Sequence, residues 1–260
     1  MDFACQLSTE TVEVKRRIYL LDEIRGGAVV CMVVYHAFYT VGIMFNYKWA
    51  ASLYNFFMPA EPFFAALFIF ISGICTHLSR SNTRRGFILF AIAAAVNIST
   101  TVLMPDFAIR FGVLNLLSIC MILAGLFKDL AKKINSKVGL VLCTVLFIVT
   151  WGVNKGYLGI LGLKLCNLPE QLYGTPFLFP VGFKNEDFVS TDYFPLLPWS
   201  FVFFAGAFSA DICSVKPLPD TFYKIRLKPL VWIGRRALYI YLLHQPVIIL
   251  AVMCFAALRQ

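Results

Sequence analysis

Apolar and polar residues alternate along this chain in long blocks. Seven apolar stretches, at roughly 18–45, 62–78, 85–103, 111–127, 138–153, 193–212 and 238–258, are separated by segments richer in charge, Gly and Pro. An α-helix rises about 1.5 Å per residue, so about 20 residues cross the ~30 Å hydrocarbon layer of a bilayer. Each stretch is close to that length. Tyr and Trp gather near the ends, at Tyr47, Trp49, Tyr54, Trp151, Tyr157 and Trp232, where amphipathic rings anchor helices at the membrane interface. The pattern predicts an all-α, polytopic integral membrane bundle of about seven transmembrane helices. Nothing marks a soluble domain, an internal repeat or a low-complexity tract, so residues 1–260 read as a single transmembrane domain.

Composition and charge give that bundle a direction. The chain is 60% hydrophobic and 14% charged, against about 25% charged in soluble domains. Segment 1–16 is polar and shows no cleavable-signal pattern, so the first apolar stretch is expected to remain as a helix. A net charge of +9 would suggest nucleic acid as the partner of a soluble protein. Here the placement of the charges explains it, and no nucleic-acid partner is expected. With the N-terminus inside, sixteen Lys and Arg fall in inside segments, six fall outside, and Arg25 lies within the first span. The positive-inside rule then predicts a cytoplasmic N-terminus, an outside C-terminus and a multi-pass place in the inner (plasma) membrane. The longest connection, 154–192, falls outside. Its five glycines, three prolines and many aromatics predict an ordered external cover over an opening. Of eight cysteines, Cys31, Cys75, Cys120, Cys143 and Cys254 sit in apolar runs, where Cys behaves as a small hydrophobe. No CxxC occurs and no His stands at zinc-ligand spacing. Neither a disulfide framework nor a metal is expected, and Cys166 is expected as an unpaired thiol in the external loop.

Polar groups inside the spans are the candidates for chemistry, because each costs at least about 2.5–3.5 kcal/mol to insert. The first span carries Asp22, Glu23, Arg25 and His36. Arg25 and His36 are eleven residues apart, about three turns, so they share a face with about 16 Å between them along the axis. An imidazole exchanges protons near neutral pH; the alternative is a structural His bonded across helices. Arg25 is either the partner of Asp22 in an i, i+3 salt bridge or a cation aimed at an anionic ligand from the inside, since Arg grips phosphate bidentately. Gly26 and Gly27 permit close approach of a helix or a ligand.

Other positions extend the picture. Ser72, Thr76 and Arg80 share a face at the inner end of the second span and suggest a mouth for a charged ligand, while His77 reads as a headgroup contact. Asp106 and Arg110 sit at an outer turn before Phe111-Gly-Val-Leu-Asn115. Asp192 opens Asp-Tyr-Phe-Pro-Leu-Leu-Pro-Trp199, where Pro195 and Pro198 fix a broken helix start. It is either an N-terminal cap or a group facing an outer substrate. In the last span, His244 and Gln245 precede Pro246, which frees the Leu242 carbonyl one turn earlier. They form either a wall of a site or a lock between the first and last helices.

These elements together resemble a known family. Leu21-Asp-Glu-Ile-Arg-Gly-Gly-Ala with Met32 and His36, Phe68-Ile-Phe-Ile-Ser-Gly73, Phe111-Gly-Val-Leu114, the Asp192 to Trp199 motif and Ala237-Leu-Tyr-Ile-Tyr-Leu-Leu-His-Gln-Pro246 are similar to the bacterial relatives of the heparan-alpha-glucosaminide N-acetyltransferase catalytic domain. These belong to the wider transmembrane acyltransferase superfamily. The resemblance covers about residues 16 to 250. It implies acyl transfer across a membrane, with acetyl-CoA or another acyl-CoA as cytoplasmic co-substrate and a hydroxyl or amine acceptor on the outer side. By that resemblance His36 is the general base and Arg25 holds the donor or shapes its channel. Asp22, Ser72, Arg80, Asn115, Asp192, His244 and Gln245 line the donor and acceptor paths, and Ser72, Asn115, His244 or Gln245 supplies oxyanion donors. A His often stands in the family where this chain has Asn115, an amide that exchanges no proton. The animal enzymes have more helices and a luminal portion, so a cell-envelope sugar or a small compound is the expected acceptor rather than heparan. The bilayer, acyl-CoA, the acceptor and a homodimeric copy are the expected partners. Two rival readings stay open: a small proton-coupled transporter using the same polar face, and a non-catalytic partner that keeps the fold. No inverted repeat favours the first, and no Gly-x-Ser-x-Gly elbow suggests a covalent route.

Overall fold

The computed structural model describes residues 17–79, 81–160, 162–214 and 218–258. The expectations placed on segment 1–16 and on Arg80 therefore lie outside the described residues. Six helical segments are long and apolar enough to cross a membrane: Tyr19–Met44, Lys48–His77, Asn82–Leu103, Ser136–Lys155, Leu196–Cys213 and Ala237–Ala257. A seventh apolar helix, Val113–Leu126, is shorter. The protein is an all-α polytopic membrane bundle, and each predicted apolar stretch appears as one of these helices.

The helices, in chain order, are α1 (Tyr19–Tyr39), α2 (Lys48–Phe57), α3 (Glu61–His77), α4 (Asn82–Leu103), α5 (Val113–Leu126), α6 (Lys128–Ala131), α7 (Ser136–Thr150), α8 (Leu196–Ser214), α9 (Lys228–Arg235) and α10 (Ala237–Ala257). Short α5, about 21 Å long at 1.5 Å per residue, is the axis of the bundle. It packs on α4, α8 and α3, and Val113, Leu116, Leu117 and Cys120 join Ile69, Phe194, Trp199 and Phe203 in the core. A helix sheathed by its neighbours does not have to match the bilayer by its own length. Around it, α3 and α7 pack on α8, while α1 packs on α3, α9 and α10.

Several boundaries follow from local chemistry. The Ser81 hydroxyl accepts the Arg84 N–H at the start of α4, and the Asn135 side chain accepts the Lys137 and Val138 N–H groups at the start of α7. These are N-caps that satisfy otherwise orphaned donors. α8 bends at Leu197, a non-helical residue between Pro195 and Pro198. α1 ends in a π-turn, Thr40–Met44.

Three features were not legible in the hydrophobic blocks. α2 precedes the predicted start of the second span and joins α3 through the tight turn Met58–Ala60. α9 lies in a segment that reads as a basic connection. It buries Val231 and Gly234 against α1 and leaves Trp232 exposed under the Arg236 guanidinium, 4.4 Å from the ring centroid. The segment 154–192 contains an antiparallel hairpin, β1 (Tyr157–Ile160) with β2 (Leu163–Asn167). It is tied back at several points: the Tyr173 hydroxyl donates to the Val153 carbonyl, the Thr191 N–H to Ala108 and the Leu196 N–H to Pro180. The end of the bundle it covers is called the cover end below, and the end carrying Arg84, Arg85 and Lys128 the basic end.

Glycines set the closest helix contacts. A methyl group at Gly73 on α3 would collide with the Phe203 carbonyl on α8, and one at Gly206 on α8 with the Phe70 carbonyl on α3. Gly26 and Gly234 make the same reciprocal approach between α1 and α9, through the carbonyls of Leu230 and Asp22. Gly27, by contrast, meets nothing within 4 Å. Small residues let helix backbones approach where there is no hydrophobic drive between helices. Gly73→Ala is expected to destabilise the protein by about 1–3 kcal/mol through overpacking. Gly27→Ala is expected to be neutral or to stabilise by up to about 1 kcal/mol. Thermal unfolding of the purified variants in one detergent checks the contrast, and equal loss in both would contradict it.

Candidate active site

Asp192 organises the cover end. Its carboxylate accepts the Tyr241 hydroxyl of α10 at 2.6 Å and the Val113 N–H at the start of α5 at 3.3 Å. Its backbone carbonyl accepts the Ser190 hydroxyl at 2.7 Å. The neighbouring Phe111 and Tyr193 form a parallel bridge, with the Phe194 N–H donating to the Phe111 carbonyl. Gly112 is required here, because a side chain would strike the Asp192 carboxylate. Burial pushes the Asp192 carboxyl above the usual carboxylate range, against the opposing pull of the Tyr241 and Val113 donors. Asp192 thus acts as a cap, though for α5 rather than its own α8, and it lines two cavities.

The first of these cavities, about 240 Å³, lies between α1, α3 and the 191–194 segment, and presents Tyr35, His36, Glu61, Thr191, Asp192 and Tyr241. A second, about 250 Å³, opens toward the basic end and presents Arg25, Ser72, Cys75, Thr76, Arg85 and Tyr241. Phe68 lines both, as does Tyr241. A third, about 620 Å³, lies between α4 and α10 and reaches His36, Asp192, Tyr241, His244 and Gln245.

The predicted residues divide between these spaces. His36 and His244 come together, with ring centroids 5.1 Å apart, and share the third cavity. His36 Nδ1 is buried without a hydrogen-bond partner. His244 Nδ1 lies 2.6 Å from the Tyr241 carbonyl, which only accepts, so His244 carries its proton on Nδ1. Gln245 donates to the Thr40 hydroxyl at 3.0 Å, bonding α10 to the end of α1, while its Oε1 stays buried and unpartnered. Both readings of this pair hold geometrically: it locks the first and last helices and walls a cavity.

Arg25 does not share a cavity with His36. It is paired with Asp22, approaches Cys75 Sγ at 3.8 Å and opens on the second cavity beside Ser72. Asp22, also bonded to Arg17 at 2.8 Å, is buried and holds Arg25 rather than lining a cavity itself. The Ser72 hydroxyl donates to the Phe68 carbonyl. Asn115 lines none of the three cavities; its Oδ1 accepts the Gly112 N–H at 3.2 Å, and its carbonyl accepts the Ser118 hydroxyl. It is a residue of the α5 start. His77 pairs with Asp211 at 2.8 Å. Cys166 is a free, exposed thiol on β2, and no cluster of three His, Cys, Asp or Glu forms a metal site among the described residues.

Sequence reasoning missed Glu61, Tyr35 and Tyr241. Glu61 stands one residue before the predicted start of its span, outside the apolar block. A carboxylate directly before Pro62 and an apolar run is the signal that could have found it. Tyr241 lies inside a quoted motif, but a Tyr in an apolar helix reads as packing until its Asp partner is placed.

A bundle that crosses the membrane and holds polar groups on adjoining cavities from its two ends is a transmembrane domain with a built interior site. The sequence profile described as heparan-alpha-glucosaminide N-acetyltransferase, catalytic, matches residues 17–246, and the chain belongs to that family. Its family is thus that of a membrane acetyltransferase catalytic domain. No curated protein and no solved structure matches the chain.

Removing the Asp192 carboxylate leaves a buried hydroxyl and a buried N–H without partners, each costing about 1–3 kcal/mol. Asp192→Ala is therefore expected to lower the unfolding midpoint more than Tyr241→Phe, which removes one donor and strands less. Thermal melts of the two variants check the order, and a larger loss in Tyr241→Phe would refute the hub.

Proposed function

We propose that the protein moves an acetyl or other acyl group from acyl-CoA, entering at the basic end, to a hydroxyl or amine acceptor bound at the cover end. The observation that carries this reading is the pair Phe68 and Tyr241, common walls of the Arg25 cavity and the His36 cavity. A donor held beside Arg25 and Arg85 and an acceptor held beside His36 would meet across these two side chains. Arg25 and Arg85 are suited to the donor's phosphates, with Asp22 fixing the direction of the Arg25 fork.

The chemistry balances without a metal or a covalent enzyme intermediate. The His36 imidazole takes the acceptor proton as the acceptor's oxygen or nitrogen attacks the thioester carbonyl. The tetrahedral intermediate collapses, the C–S bond breaks, and the proton passes from His36 to the departing CoA thiolate. Polar hydrogens near the reacting carbonyl steady its developing charge. Ser72 is bonded to the Phe68 carbonyl, Asn115 lines none of the cavities and the His244 proton is held by the Tyr241 carbonyl, so the second N–H of the Gln245 amide is the remaining donor among the expected groups. The same reading sets the basic end in the cytoplasm and the cover outside, in the inner (plasma) membrane.

In purified protein, acyl-CoA turnover is expected to fall by about 10²–10⁴ in kcat for His36→Ala. Arg25→Ala is expected mainly to raise KM for acyl-CoA. Loss of thioester is followed with a panel of hydroxyl and amine acceptors; a wild-type protein that consumes none of them rules the reading out. Orientation has its own check. A membrane-impermeant maleimide applied to right-side-out vesicles is expected to label Cys166, and Cys166→Ser to remove that label. Labelling of Cys166 only from the inside face would reverse the assignment.

A further inference from the structure

The largest of the three cavities lies between α4 and α10 and runs up to the cover-end residues Met104, Phe107, Ile109 and Thr191. α4 packs on α5, and α10 packs on α1 and α9, leaving a slot between α4 and α10. Its walls are Ala95, Ser99 and Leu103 on one side and Leu242, Pro246 and Leu250 on the other. Leu103 is 78% exposed and Leu250 61% exposed, so the slot faces the hydrocarbon around the bundle. From Ile92 to Leu103 it follows α4 for about 16 Å at 1.5 Å per residue. Its volume, about 620 Å³, lies within the ~300–1,000 Å³ range of ligand sites.

The inner wall of this slot is polar. His36, His244, Gln245, Tyr241 and Asp192 all line it, and behind that wall His36 Nδ1 and Gln245 Oε1 are buried without partners. Buried polar atoms are costly to leave unpaired. A hydrocarbon-lined passage from the bilayer that ends on hydrogen-bonding groups has the shape of an amphiphile. Arg25 and Arg85 belong to the other cavity, so the slot adjoins the acceptor side of the site.

We infer that the acceptor is a membrane amphiphile: a single hydrocarbon chain lies in the α4–α10 slot and presents a hydroxyl headgroup to His36. This rests on the acyl-transfer reading and names its substrate class. In the step, the amphiphile's O–H bond breaks, its oxygen bonds to the acyl carbon, the thioester C–S bond breaks, and CoA leaves as the free thiol. The acceptor then reaches the site from within the lipid, while the cover over the opposite approach stays in place.

The test uses the full chain in lipid nanodiscs and hexadecanol carrying a mid-chain diazirine. Photolabelling is expected to map to residues 95–103 and 242–250, to be competed by plain hexadecanol, and to drop at least tenfold in Ala95→Trp. Ser99→Phe serves as a second slot-filling variant, and Val141→Trp, on the exposed face of α7, is the control expected to label like wild type. With acetyl-CoA as donor, the preference for hexadecanol over butanol is expected to fall at least tenfold in the slot-filling variants. Labels spread over all lipid-facing helices and insensitive to Ala95→Trp overturn the inference. So does a slot variant that loses palmitoyl-CoA relative to acetyl-CoA while keeping its acceptor preference, since the chain in the slot would then belong to the donor. Slot-specific, variant-sensitive labelling without transfer to any acceptor would refute acyl transfer and still establish the slot as an amphiphile site.

Discussion

One carboxylate in the dry interior determines how the cover end is put together. Asp192 arrives on a connection, not on a helix, and its oxygens take a hydroxyl from α10 and a backbone N–H from α5. Water would serve these donors at the surface. Buried inside the bundle they must find each other, because leaving a buried donor or acceptor unsatisfied costs about 1–3 kcal/mol. The first turn of α5, the return of the long connection and the second turn of α10 are thereby held at fixed separations. Two of the cavities have Asp192 in their walls, so the arrangement that satisfies the backbone also shapes the site.

The helices reach this arrangement by close approach rather than by apolar drive, since lipid tails are as apolar as the side chains that would be buried. The reciprocal Gly73–Gly206 and Gly26–Gly234 contacts bring backbones within reach of each other. The first half of short α5, from Val113 to Ser118, is then buried at the middle. The outer helices are left to meet the lipid with large exposed side chains such as Phe63, Val102 and Leu258. Exposure that would be a liability in water is the ordinary state of a bundle in hydrocarbon.

The number and order of the spans were legible because hydrophobic blocks of about 20 residues are a strong signal. Polar residues inside those blocks were legible for the same reason, and His36, His244 and Gln245 do converge. The partition of Arg25 and His36 into separate cavities was not legible. Helical spacing shows that two side chains share a face, but not that other helices divide the space beside it into two cavities with Phe68 and Tyr241 in the walls of both. Asn115 misled for a related reason: an amide in a motif looks chemical, while its use is local, at the first turn of its own helix. Three of the motifs that carry the family resemblance, those holding Gly112, Asp192 and Tyr241, turn out to be segments that touch one another.

Glu23 carries a consequence for how the protein is made. Its carboxylate accepts the Arg226 and Leu227 N–H groups at 2.6 and 2.9 Å, just before α9 begins. Asp22, beside it, finds its partners Arg17 and Arg25 within its own first turns. Glu23 has to wait for a stretch of chain 203 positions later. At about 5–20 residues per second of synthesis, the first helix holds an uncompensated carboxylate for about 10–40 s. The first span is thus inserted early and completed last. A chain that stops before residue 226 has every helix up to α8 and still lacks the groups that let its opening helix settle.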